Sequence, residues 1–120
     1  MNETKIRILC IGEAMLQLQN LNVGSQSAQI GVAGDTLNTA IYMKRLLKER
    51  ADVFYLTVLG TDEVSDQIEK YIQSQGIRTE SIRHTRARIP GIYSINLNRN
   101  GERSFNYWRN RSAAKDLFKA

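Results

Sequence analysis

The sequence predicts an α/β fold built in layers, and three observations carry that reading. Strand-like and helix-like segments alternate through the first two thirds of the chain: an apolar run at residues 5–11, a helical pattern at 36–49, a second apolar run at 53–59 and a second helical pattern from Val64 to Ile72. That order packs helices against a sheet. The run 53–59 is β-branched, aromatic and continuously apolar, as suits a parallel strand buried on both faces. The last third then changes character, with Asn98-Arg99-Asn100-Gly101 between two strand-like stretches, a hairpin signal.

Taken in order, residues 5–11 alternate at first and then turn apolar through Ile8, Leu9, Cys10 and Ile11. They read as a buried strand ending at Gly12. Residues 14–18 form a second short strand, with Met15 set against Leu16 and Leu18. The polar stretch 20–29, with Gly24 and two serines, reads as a loop, and 27–32 as a short returning strand. Leu37, Ala40, Ile41, Met43 and Leu47 make one apolar side of helix 36–49. Gly60-Thr61-Asp62 is a turn. Val64, Ile68, Tyr71 and Ile72 lie at i, i+4, i+7 and i+8, one helical face, and Gly76 supplies a C-terminal cap. Residues 89–97 form a strand that begins near Pro90, the only proline, and 102–109 form its return. Residues 110–120 read as the start of a helix. Strands 6–11 and 53–59 are expected to lie parallel in one sheet, joined through helix 36–49 with the right-handed crossover that nearly all such units have.

Composition narrows the function. The 120 residues fit one domain or part of one, and a hydrophobic share of 42% is enough for a core. No apolar run is long enough to span a bilayer, and the basic and apolar regions of a signal peptide are not seen, so a cytoplasmic protein without a membrane partner is expected. Cys10 is the only cysteine, which excludes an internal disulfide; it reads as a small buried residue. His84 is the only histidine, with no Cys/His cluster around it, so no metal site is expected. The net charge of +5 comes mostly from arginines at 78, 83, 86, 88, 99, 103, 109 and 111. Basic residues interleaved with aromatics are one signature of nucleic-acid binding. These are scattered over strands and loops with no helical stripe, which favours a solvated or anion-facing surface and no nucleic acid.

Two places carry recognition chemistry. In Ala33-Gly34-Asp35-Thr36-Leu37-Asn38-Thr39-Ala40 a glycine precedes a polar run that opens into a helix. A helix start has free N–H groups and a partial positive charge. Gly34 lets a ligand approach the backbone, Asp35 or Thr36 can cap the helix, and Asn38 offers a donor and an acceptor. The same pattern also reads as an ordinary capped helix after a glycine turn. The second place is the pair Tyr107 and Arg109, two residues apart on a strand and therefore side by side, with Phe105 on the same face. Arginine's planar fork matches a carboxylate, and a phenol adds a hydrogen bond and an apolar plane. A surface hairpin contact would look the same. Tyr93 joins them only in one register. A two-residue turn sets it opposite Trp108, whereas a three-residue loop, Arg99 to Gly101, sets it opposite Tyr107.

With these residues in view, the chain resembles the N-terminal part of the ribokinase-like carbohydrate kinases, and most closely the bacterial 2-keto-3-deoxygluconate kinases. Four segments carry the resemblance, in the family's order and at its spacing: Ile8-Leu9-Cys10-Ile11-Gly12-Glu13, Gly34-Asp35-Thr36-Leu37-Asn38-Thr39-Ala40, Thr57-Val58-Leu59-Gly60-Thr61-Asp62 and Gly101-Glu102-Arg103-Ser104-Phe105-Asn106-Tyr107-Trp108-Arg109. The resemblance implies part of a three-layer α/β domain with a small β-sheet lid, from strands at about 14–32 and 89–109. It also implies a sugar-acid kinase that moves the γ-phosphate of ATP, with Mg2+, to a primary hydroxyl. Gly34 and Asn38, with Asp35 beside them, match the positions that contact the sugar. Tyr93 matches the aromatic that covers it, and Tyr107 and Arg109 match the residues that hold the keto-acid end. Gln17 stands where kinases of neutral pentoses often carry an aspartate, which argues against simple ribokinase specificity.

The family's catalytic aspartate lies in a Gly-Ala-Gly-Asp motif in its second half, and nothing like that motif occurs here. The chain is therefore expected to hold part of the sugar site, to carry no catalytic residue, and to leave ATP and Mg2+ mainly to a C-terminal part. The resemblance also implies a homodimer through the lid. Two other functions compete with the sugar-acid kinase: a fructokinase or other kinase of this fold, and a non-catalytic ligand-binding or assembly module.

Overall fold

The computed structural model describes residues 4–119. Among them the chain runs through β1 (Ile6–Ile11), β2 (Met15–Asn22), β3 (Ser27–Ala33), α1 (Asp35–Leu47), β4 (Ala51–Leu56), β5 (Val58–Gly60), α2 (Glu63–Ser74), β6 (Arg83–Thr85), β7 (Ile92–Leu97) and β8 (Arg103–Trp108). Short 3-10 turns occupy Lys48–Arg50 and Ala113–Asp116.

β1 and β4 pair in parallel from Ile6 opposite Ala51 to Ile11 opposite Leu56, and α1 packs on both. This is the layered unit the alternating pattern predicts. Its core joins Leu37, Ala40 and Ile41 of α1 and Ile68 and Ile72 of α2 to Val53, Tyr55 and Leu59. Burying each large apolar side chain stabilises the fold by about 1.5–3 kcal/mol.

The apolar run 53–59 is not one strand. The chain breaks step at Thr57, so β4 pairs with β1 while β5 pairs in parallel with β6, a three-residue strand absent from the sequence reading. Only β5 is buried throughout; β4 alternates between buried and half-buried residues. β1 also departs from the buried strand expected. Ile8 and Cys10 pack on the core, but Ile6 is 53% and Leu9 51% exposed, because the helices cover one face of this sheet. Cys10 is half-buried rather than buried, and that burial pushes its thiol up.

The remaining strands make a second sheet in the order β3-β2-β7-β8. β2 and β7 are parallel, Leu16 opposite Ile92 through Gln19 opposite Ile95, and both outer pairs are antiparallel. β2 runs on to Asn22 and β3 begins at Ser27. Most of the polar stretch read as a loop is therefore the tip of a hairpin, with a ladder irregularity between Gln19 and Asn22 that polarity alone does not show. β7 starts at Ile92, two residues past Pro90, and only a 3-10 turn forms where a terminal helix was expected.

The β7–β8 hairpin takes the three-residue register. The Asn98 N–H donates to the Glu102 carbonyl at 2.9 Å, which leaves residues 99–101 as the loop, and Gly101 sits at φ 77°. Tyr93 is therefore opposite Tyr107. The chain passes between the four-stranded sheet and the rest of the molecule four times: at 12–14, at Gly34, at 86–91 and at 109–112.

Candidate functional site

A cavity of about 280 Å³ lies where the crossings at 12–14, at Gly34 and at Arg109 come together. Gly34, Asp35 and Asn38 line it from the start of α1, and Tyr93, Tyr107 and Arg109 from the β7–β8 hairpin. The structure thus brings all six sequence-predicted residues to one space. Gly12, Glu13, Met15, Thr36 and Phe105 complete the lining. Phe105 follows from the strand alternation that places it with Tyr107. Glu13 was legible only as a carboxylate directly after the glycine that ends β1, a weak signal.

The local geometry of α1 differs from the expectation in two ways. Gly34 is the N-cap, and no side chain caps the helix. Thr36 instead shares a 2.9 Å hydrogen bond with the Tyr55 hydroxyl, pinning the first turn of α1 to the buried strand β4. Burial pushes that phenol up to about 12, with the Thr36 hydrogen bond acting the other way, so Tyr55 stays neutral. Asp35 is the first helical residue, its charge favourable at the positive end of the helix. The second difference concerns Gly34. A Cβ there would overlap the Glu13 carbonyl oxygen, so the close approach it permits is that of the chain's own backbone.

The opposite wall is a stack of aromatic rings. Tyr93 lies 5.8 Å from Tyr107 with 21° between the rings, and Phe105 lies 6.3 Å from Tyr107 at 14°. The Arg109 guanidinium sits 4.8 Å from the centre of the Tyr107 ring, a cation–π contact. The Tyr93 hydroxyl donates to the Gln17 side-chain oxygen across the β2–β7 pair, and burial pushes its pKa up, with Tyr107 and Asp35 adding to the effect. Arg109 is 47% exposed in its side chain and reaches within 3.8 Å of the Glu13 carboxylate.

The site therefore presents one half-exposed guanidinium, a flat aromatic wall and a helix start, with the amide of Asn38 and the carboxylates of Glu13 and Asp35 at its edge. That set suits a small ligand with an anionic end and several hydroxyls. Among the described residues no group of three or more His, Cys, Asp or Glu side chains could hold a metal ion, and His84 contacts Glu69 at 3.4 Å away from the cavity. No described helix is long and apolar enough to cross a membrane.

The fold is that of the pfkB-type carbohydrate kinases, and residues 5–119 match the pfkB family carbohydrate kinase pattern: the chain belongs to that family. It is 41% identical over 113 residues to the 2-dehydro-3-deoxygluconokinase of Dickeya dadantii, covering 93% of this chain and 36% of that protein. The crystal structure of the Thermotoga maritima 2-dehydro-3-deoxygluconokinase superposes with a TM-score of 0.80 over the whole chain and 36% of its own, at 20% identity, a likeness of fold. The Xylella fastidiosa fructokinase with bound ATP superposes with a TM-score of 0.77 at 26% identity, over 92% of this chain and 35% of that one. The chain thus spans about a third of the length of these relatives, matching their N-terminal part. The ribokinase-like α/β fold expected from the four motifs is the one observed.

Proposed function

We propose that this chain forms the sugar-recognition part of an ATP-dependent kinase that phosphorylates a primary hydroxyl of 2-keto-3-deoxygluconate, which is the 2-dehydro-3-deoxygluconate of its relatives' names. The observation that carries this reading is Arg109 over the Tyr107 ring, facing Gly34 and Asn38 across one cavity. A guanidinium there matches the carboxylate of a sugar acid, and the aromatic wall suits the flat keto-acid end. In this reading Gly34, Asp35 and Asn38 bind the hydroxylated end, Tyr93 covers the sugar, and Tyr107 and Arg109 hold the acid.

ATP and Mg2+ are assigned mainly to a part of the kinase outside residues 1–120, since the Gly-Ala-Gly-Asp motif that carries the family's catalytic aspartate is not among these residues. ATP bound there would supply the phosphoryl group; this chain's residues seat the acceptor. The strands at 14–32 and 89–109 act as a lid, and its exposed outer strand β8 is the surface through which the enzyme forms a homodimer in the cytoplasm.

A fructokinase is the second reading, favoured by the similarity to the Xylella fastidiosa structure. The two separate on the charge of the substrate. The test joins this chain in frame to the remaining part of the Dickeya dadantii relative and measures kcat/KM for both sugars. Preference for 2-keto-3-deoxygluconate is expected, and preference for fructose would overturn the proposal.

A further inference from the structure

We infer that Glu13 is a specificity-determining residue of this cavity, accepting a hydroxyl of the bound sugar acid on a carboxylate oxygen that the protein itself leaves without a donor. The inference rests on the sugar-acid reading of the site. Glu13 lies in the link between β1 and β2 and lines the cavity. Its Oε1 is 3.8 Å from Arg109 Nη1. Its Oε2 is shut off from solvent and has no hydrogen-bond partner among the described residues. Gly91, just before β7, makes the room: a Cβ there would stand 2.7 Å from that oxygen and 3.0 Å from Arg109 Cβ.

A carboxylate oxygen that gives up water without gaining a donor is costly, and native structures rarely leave one so. Here the oxygen is held dry in the free protein, packed against Gly91 beside the one cation of the cavity, and only a turn of the carboxylate brings it to a hydroxyl of a ligand in the cavity. A ligand carboxylate seated on Arg109 meets a like charge in Glu13. It is tolerated only if the same ligand brings a hydroxyl that donates to Oε2. The pair therefore selects by repulsion as well as attraction. It admits an acid that also carries hydroxyls, and it disfavours both a bare keto acid and a neutral sugar, which has no use for Arg109.

The experiment is an NMR titration of the 120-residue chain, kept at a concentration where light scattering shows a single monomer mass, with 2-keto-3-deoxygluconate and, separately, with 2-oxobutyrate, which shares the keto-acid head and has no hydroxyl. Glu13→Gln keeps the shape and removes the charge. It removes the like charge for both ligands and the charged acceptor for the sugar acid alone, so the preference for the sugar acid over 2-oxobutyrate is expected to fall roughly tenfold, the difference between a charged and a neutral acceptor. An equal change for both ligands would mark a purely structural role, and no change in either would remove Glu13 from recognition; either leaves the preference unaltered, overturns the inference and leaves the sugar-acid reading standing. Tighter binding of fructose than of 2-keto-3-deoxygluconate by the unaltered chain overturns the reading itself. Amide dispersion reports folding in the same spectra. Should Glu13→Gln lose it, Glu13→Asp decides, because withdrawing the carboxylate by one methylene should weaken the sugar acid and give no gain for 2-oxobutyrate.

Discussion

Arg109 is the residue on which the proposed substrate preference turns. A charge-assisted hydrogen bond to a ligand carboxylate is worth roughly 1.5–3 kcal/mol, and each 1.4 kcal/mol is about tenfold in affinity. In the joined enzyme, Arg109→Ala should raise KM for 2-keto-3-deoxygluconate about tenfold or more and leave KM for ATP nearly unchanged. Arg109→Lys should restore only part of the loss, since an ammonium keeps the charge without the fork. Steady-state kinetics with each substrate varied in turn checks this; equal loss for both would indicate a folding role. The site was legible in the sequence where a residue type is uncommon in its setting. Arginine beside tyrosine on a strand and asparagine one turn into a glycine-led helix are such cases, and both line the cavity. Glu13 is ordinary in its setting. It gains meaning only from Arg109 and Gly91, which come from elsewhere in the chain.

Elements were legible where local chemistry decides them. The α2 face and Gly76, at φ 80° past its end, follow from periodicity and capping rules, whereas Asp62, which reads as part of a turn, is the N-cap. β6 and the break at Thr57 follow from pairing between distant strands, which no local pattern encodes. The Asp62 cap also has a pH signature. Partial burial pushes its carboxyl up, but hydrogen bonds from the Ser65 hydroxyl, at 2.7 Å, and the Ser65 N–H, at 3.0 Å, outweigh it and hold the group below its ordinary 3.8. A carboxylate whose folded pKa is lowered stabilises the fold above its ordinary value and loses that contribution as pH falls through the lowered one. Asp62→Ala should therefore cost about 0.5–2 kcal/mol at neutral pH. The urea midpoints of variant and parent should converge once pH drops well below 3.8. An equal gap at both pH values would show that the hydrogen bonds do not depend on the charge.

At the scale of the molecule, the layered order came through in the sequence because strands and helices of different period alternate. How much of each strand is covered did not, since burial depends on what packs from outside the segment. Ile6 and Leu9 of β1 stay more than half exposed, and every residue of β8 is exposed. Apolar strands with open edges invite pairing between chains. The 120-residue chain should self-associate as its concentration rises, with light scattering reporting a growing mean mass; a monodisperse monomer at high concentration would contradict this. The four crossings that tie the four-stranded sheet to the rest of the molecule have a mechanical consequence. Arg109 and Glu13 both sit on crossings, whereas Phe105, four residues back along β8, stands roughly 13 Å farther out at about 3.3 Å per residue. Any tilt of the four-stranded sheet about those crossings moves each side chain in proportion to its distance from them. The Arg109–Glu13 pair then lies near the pivot and keeps its spacing, while Phe105 at the rim of the cavity sweeps like the end of a lever, so that one motion can widen the cavity's mouth without loosening its charged end.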